Sequence, residues 1–299
     1  MNAGSNFDDS GGISMTIDVN SIQAEIRKIQ NPADLEQLKV QVATLKNAVY
    51  ERSRILAQAS VRLPALTSYD GGERLYSAVL SDATPWKNQT LQKCEVPGMI
   101  TEEEARYYSY IGKFYSGAGE CVELGPWLGK STTYIVHGLA DNPNFRGKAL
   151  HVYDDFIWRA SWMDSYVPDS IRPRNHADFQ SLFAENVRTI EKQLNVNRAK
   201  IVLYDGNEAV PQITWIEKPV EMIYVDCGRT CEVNDGWWQI FSPYFIHNRT
   251  LIIMQDWRTH LEVPVKWFNQ MDIFTDSKEA KLQLVHELKQ GNIGTFLFR

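Results

Sequence analysis

From Thr101 onward, short and nearly continuous apolar runs alternate with longer amphipathic stretches, a rhythm that few folds accept. The runs predict strands over Glu120–Leu124, Ala149–Tyr153, Lys200–Tyr204, Glu221–Val225, Thr250–Met254, Lys281–Leu288 and Thr295–Phe298. Helical spacing falls between them, over Lys130–Ala140, around His176–Leu194 and over Glu232–Ile246. A capping box, Thr101-Glu102-Glu103-Glu104, opens a further helix that runs to about Ser116. Strands and helices in this order predict an α/β fold, a mostly parallel sheet with helices on both faces. Only Lys289-Gln290-Gly291-Asn292 separates the last two runs, too short for a crossover, so they predict an antiparallel hairpin.

The region before Thr101 reads differently. Residues 1–14 are Gly, Ser, Asn and Asp with little to bury, and predict a disordered tail. Residues 15–96 read as a helical arm followed by an irregular cover. Ile22, Ile26 and Ile29 mark a first helix, and Asn31-Pro32 ends it and starts a second. The second helix carries Leu35, Leu38, Val42, Leu45, Val49 and Leu56, close to a heptad series. It reads as an amphipathic helix packed on its own domain, as an arm that joins copies into a homo-oligomer, or as a lid. Turn signals crowd residues 62–98, from Leu63-Pro64 to Pro97-Gly98.

Composition narrows the partners. With 43% apolar and 23% charged residues the chain is globular in character. Its 31 basic and 37 acidic residues give a net charge of −6, which offers no reason to expect nucleic acid. No run approaches the ~18 apolar residues of a membrane span. The polar, acidic start lacks a secretory pattern, so the expected location is cytoplasmic. Cys94, Cys121, Cys227 and Cys231 fit no disulfide framework and read as reduced thiols.

In an open α/β sheet, ligands bind beyond the carboxyl ends of the strands, where strand order reverses. The first strand is followed by Glu123-Leu124-Gly125-Pro126-Trp127-Leu128-Gly129-Lys130-Ser131. Gly125 permits a sharp turn, and Gly129 permits close approach to a helix start whose N–H groups are free. The spacing is not that of a dinucleotide fingerprint. Nor is it a phosphate loop, since one residue too few separates Gly125 from Gly129-Lys130-Ser131; a nucleotide-phosphate enzyme is a minor alternative.

The stretch PGMITEEEARYYSYIGKFYSGAGECVELGPWLGKSTTYIV resembles the start of the class I S-adenosylmethionine-dependent methyltransferase domain, and most of all the macrocin-type sugar and small-molecule O-methyltransferases. The resemblance covers residues 97–299 and implies a Rossmann-like sheet ending in an antiparallel hairpin. It implies that Gly125, Gly129 and Ser131 face the methionine part of the cofactor, with Glu123 placing its amino group or ordering the loop. Asp154, or else Asp155, would accept from the ribose hydroxyls, and Asp205-Gly206 would line the adenine. A plain Asx turn is an equal reading of Asp205.

The resemblance also implies a divalent cation, held by acids after the fourth and fifth strands. Asp226 and Asp256 match those positions, but Gln255 stands where a second acid is common. Two Asp and one Gln could still hold Mg²⁺, which keeps several waters. Some relatives place a catalytic His where this chain has Arg229, and arginine does not deprotonate. His260, or Asp226 with a raised pKa, is then the candidate base. Trp158 and Trp162, with Arg159, Arg172 and Arg174, mark the long loop after the second strand as a substrate wall or lid, or a solvated face. Trp237 and Trp238 read as helix core. The expected activity is methyl transfer to a hydroxyl of a small molecule or glycan unit. The alternatives are a cofactor-binding or assembly protein of the same fold, or a relative of the metal-dependent hydroxylases.

Overall fold

The computed structural model describes Leu75 and residues 84–201, 211–257, 270–288 and 291–299. The chain divides into two units, residues 1–64 and 65–299, and all described residues belong to the second. The tail and both predicted helices up to Leu56 lie outside the described residues, as do Asp205, Gly206 and His260.

Seven strands form one sheet: β1 Glu120–Leu124, β2 Leu150–Asp154, β3 Leu194–Arg198, β4 Val220–Val225, β5 Leu251–Met254, β6 Leu282–Leu288 and β7 Ile293–Phe298. Their order is β3-β2-β1-β4-β5-β7-β6. The first five pair in parallel, and β7 runs antiparallel between β5 and β6. This is the Rossmann-like sheet that the resemblance implies, hairpin included. Strands β1, β2, β4 and β5 are buried along their whole length; β5 is wholly apolar, while β1, β2 and β4 also bury Glu120, Glu123, His151, Asp154 and Glu221.

One strand is misplaced by the sequence reading. The third described strand is Leu194–Arg198; of the predicted Lys200–Tyr204, Lys200 and Ile201 follow its end without strand pairing, and residues 202–210 lie outside the described set. β3 is the outermost strand, half-covered at best, and its Leu-Asn-Val-Asn-Arg sequence carries polar residues that a central strand would not. Ile201 is buried beyond the strand, so its apolar character reflects packing and not pairing.

Helix α1 spans Glu102–Ile111 and starts at the predicted capping box. The Glu104 N–H donates to Thr101 Oγ1 at 3.2 Å, and the Thr101 N–H donates to Glu104 Oε2 at 2.6 Å. Helix α2 is Lys130–Ala140, α3 the short Ala160–Met163, α4 Gln180–Asn186, α5 Cys231–Phe241 and α6 Met271–Ser277. The single helix expected around residues 176–194 is instead α4 and a 3-10 segment, Arg188–Gln193. The break falls at Val187, whose side chain packs over the glycine turn after β1. Helix α5 stops short of its predicted end because Pro243 can neither donate a helical hydrogen bond nor fit the preceding turn. Trp237 and Trp238 are core residues, stacked against Phe274 of α6, a helix the sequence reading missed.

Candidate functional site

Strand order reverses at β1, between β2 on one side and β4 on the other. The loops leaving these strands interlock. The Gly125 N–H donates to the Tyr153 carbonyl at 3.0 Å, the Asp226 N–H to the Leu124 carbonyl at 2.9 Å, and the Gln255 N–H to the Val225 carbonyl at 2.9 Å. Gly125 has φ +86°, and a Cβ there would sit 3.0 Å from the Asp226 carbonyl oxygen. The turn therefore needs glycine for its conformation and for its contact with the β4 loop.

Gly129 caps α2 at φ +91°, and a Cβ there would lie 2.4 Å from Val187 Cγ1 and 3.1 Å from Phe183 Cε2. Val187 and Phe183, from the end of α4, thus pack directly against this glycine. Asn186 strengthens the same contact by donating to the Leu128 carbonyl at 3.0 Å.

Glu123 is 2% exposed and accepts from the hydroxyls of Ser131 and Thr132, both at 2.7 Å. It ties the end of β1 to the first turn of α2, the loop-ordering half of its expected role. Burial pushes its carboxyl up to about 7, against the pull of the two hydroxyls. Ser131 is committed to this bond. Lys130 donates to the carbonyls of Gly98 (3.3 Å) and Ile100 (3.1 Å), so its ammonium ties down the chain before α1 and the phosphate-loop alternative loses its lysine.

Asp154, at the end of β2, is buried and accepts from the N–H groups of Phe156 (2.7 Å) and Trp127 (3.3 Å). Burial raises its carboxyl to about 7, the Phe156 N–H opposes that, and the neighbouring Asp155 charge adds to it. Asp155 binds the Ile157 N–H at 3.0 Å and pairs with Arg159. Arg172 pairs with Asp169 at 2.7 Å, while Arg174 is exposed. Two of the three loop arginines therefore hold the loop itself.

Trp127 occupies the left-handed region at φ 46°. Its ring lies 5.6 Å from Trp162, 6.1 Å from Tyr166 and 6.2 Å from Trp158. Trp158 is buried, and Trp162 and Tyr166 are exposed. The loop after β2 is thus an aromatic wall built directly on the glycine turn. The buried Trp127 Nε1 has no hydrogen-bond partner.

The ends of β4 and β5 bring the remaining acids together. Asp226, just past the end of β4, is exposed, with protein atoms packed close around its carboxyl. That crowding and, after it, the charge of Asp256 push its carboxyl well above the ordinary range; Glu104 and Glu123 add to the rise and Arg229 opposes it. Asp256, at φ 59°, pairs with Arg229. Gln255 is buried, with Oε1 accepting from the Tyr108 hydroxyl at 2.5 Å and Nε2 donating to Glu104 Oε1 at 2.6 Å. Tyr108 and Glu104 are the site residues that the sequence reading missed; the capping-box signal named Glu104 without showing where its second oxygen goes. Burial pushes the Cys227 thiol up, in keeping with a small packed residue. The four cysteines are free thiols.

No protein-family profile matches the chain, and no curated protein matches it in sequence. Several solved structures are similar to it. A Staphylococcus aureus protein assigned to the caffeoyl-CoA O-methyltransferases is 13% identical, with a TM-score of 0.44 over 83% of this chain and 98% of that one. The Podospora anserina methyltransferase PaMTH1, solved with S-adenosylhomocysteine, is 9% identical, with a TM-score of 0.42 over 84% and 96%. CalS11, a TDP-rhamnose 3'-O-methyltransferase of calicheamicin biosynthesis, is 11% identical, with a TM-score of 0.41 over 76% and 92%. The likeness is one of fold, and the fold assignment stands on the strand order given above. No helix among the described residues is long and apolar enough to cross a membrane.

Proposed function

We propose that the chain is an S-adenosylmethionine-dependent methyltransferase acting on a hydroxyl of a small molecule or glycan unit. The observation that carries this reading is the exposed Asp226 just past the end of β4, beside Asp256 after the neighbouring β5 and next to the glycine turn at the point where strand order reverses. Such a field favours a ligand with a sulfonium and an ammonium group. The α2 start supplies the opposite polarity for a carboxylate.

When bound, S-adenosylmethionine supplies an electrophilic methyl carbon. The residues of the chain hold the cofactor and align the acceptor oxygen, from which much of the acceleration comes. Asp226, with its raised pKa and open face, takes the proton from the acceptor hydroxyl. His260 is the other candidate for that step. Asp154 serves the ribose if the Trp127 N–H gives up its share of the carboxylate. The closeness to macrocin-type enzymes, a cytoplasmic location and homo-oligomers formed through the N-terminal helices belong to this same proposal.

Calorimetric titration of the full chain with S-adenosylhomocysteine tests it. Wild type should bind, and Gly125→Arg should not. Asp154→Ala should bind more weakly by about 1–3 kcal/mol, the scale of a lost charged hydrogen bond. Circular dichroism checks that each variant is folded. Absence of binding by wild type removes the cofactor assignment.

A further inference from the structure

The divalent cation implied by the resemblance needs Asp226, Gln255 and Asp256 to turn oxygens toward one point. Two of the three are otherwise committed. Gln255 spends its carbonyl oxygen on Tyr108 and its amide nitrogen on Glu104, in a bridge buried under α1. Asp256 is paired with Arg229. Among the described residues no group of three His, Cys, Asp or Glu side chains could hold a metal ion. The donor set does not fit the cation.

The charge demand is nonetheless still present. Asp226 and Asp256 follow the ends of the neighbouring parallel strands β4 and β5. Uncompensated carboxylates at such range repel. The described side chain that meets the demand is the Arg229 guanidinium. It forms an ion pair with Asp256. Two features hold it there. The backbone carbonyl of Arg229 accepts the Gln270 N–H at 2.7 Å, and the Gln270 side chain accepts the Cys231 N–H at 2.9 Å. Its side chain is 41% exposed, so the positive charge reaches solvent.

We propose that Arg229 takes the place of the divalent cation, so that the acceptor side of this cleft carries a fixed guanidinium and needs no metal. Arg229 is then a positioning residue. It holds Asp256, sets the field at Asp226, and favours acceptors with a hydroxyl or oxyanion next to the reacting oxygen, which a planar fork of N–H donors suits. The inference deepens the methyltransferase reading, since it concerns the same cleft. Its decisive measurement uses no cofactor, so the two can fail separately.

The test is Mn²⁺ binding to the full chain, followed by electron paramagnetic resonance and by calorimetry. Wild type should show no saturable binding up to about 1 mM, the weak end of oxygen-ligand cation sites. Arg229→Ala frees Asp256 and should gain a saturable site below about 1 mM. Arg229→Ala/Asp256→Asn should lose that site again, and Arg229→Lys should leave it closed. A gain confined to the Ala variant is not what loss of a merely structural side chain produces. Two results overturn the proposal: wild type binds Mn²⁺ and Asp256→Asn abolishes it, or folded Arg229→Ala gains no site.

Discussion

Substituting Glu123→Gln isolates the cost of keeping a carboxyl group dry behind the glycine turn. Glu123 is 2% exposed, and its only pictured partners are the hydroxyls of Ser131 and Thr132. Its carboxyl rises from an ordinary 4.5 to about 7. The unfolded chain therefore releases this proton near 4.5, while the folded chain keeps it until about 7. Between those values the unfolded state binds fewer protons, so this group's contribution to stability is whole below 4.5 and is lost as pH rises through about 7. Each pH unit is worth about 1.4 kcal/mol, so the interval amounts to about 3 kcal/mol. A glutamine amide keeps the shape, accepts from one hydroxyl, donates to the other, and does not titrate. Urea unfolding of both proteins from about pH 4 to about pH 8 reads the effect as a difference of slopes. Wild type should lose about 3 kcal/mol more than the variant across that span. Asp154, raised from 3.8 to about 7, adds a decline of its own to both curves and cancels in the comparison. Parallel curves would refute the claim that Glu123 is buried as an acid.

Other expectations are open to the same denaturation assay. Gly129→Ala forces a side chain onto φ +91° and into Val187, and should destabilise by about 2–4 kcal/mol. Gln255→Leu leaves Tyr108 and Glu104 without their partner and should cost about 2–4 kcal/mol, with Tyr108→Phe in the same background costing little more. Thr101→Ala removes the α1 cap acceptor and should cost about 1 kcal/mol. If Thr101→Ala matched Gln255→Leu in size, the buried amide bridge would not be the stronger restraint on α1.

The parts of this fold legible in the sequence are those where local and global demands agree. β1 and α2 sit where their residue patterns place them, because β1 is a short buried run bounded by glycines and an amphipathic helix must show its spacing. The capping box is equally local: donor and acceptor are three residues apart. The site is less legible for the opposite reason. The meaning of Gln255 depends on Tyr108 and Glu104, which are 147 and 151 residues away along the chain. Gly129 shows in the sequence as a turn glycine, but the packing of Val187 and Phe183 against it is visible only in the fold. Tertiary packing decides such cases, and no spacing rule in one strand or turn carries the information. Arg229 is similar: its residue type argues against a base, but only its pairing with Asp256 gives it a positive role.

The outermost strand β3 has a bearing on how the protein behaves in concentrated solution. Among the described residues β3 borders the sheet with no strand on its outer side, and such a border is the usual template for pairing with another copy. In β3 that border is occupied by Asn195, Asn197 and Arg198, with Arg198 paired to Asp178 and leaning over the Phe156 ring. Polar and charged groups on that rim make edge-to-edge growth unfavourable. The residues that disguise β3 as a loop are the same ones that keep its border from seeding aggregates.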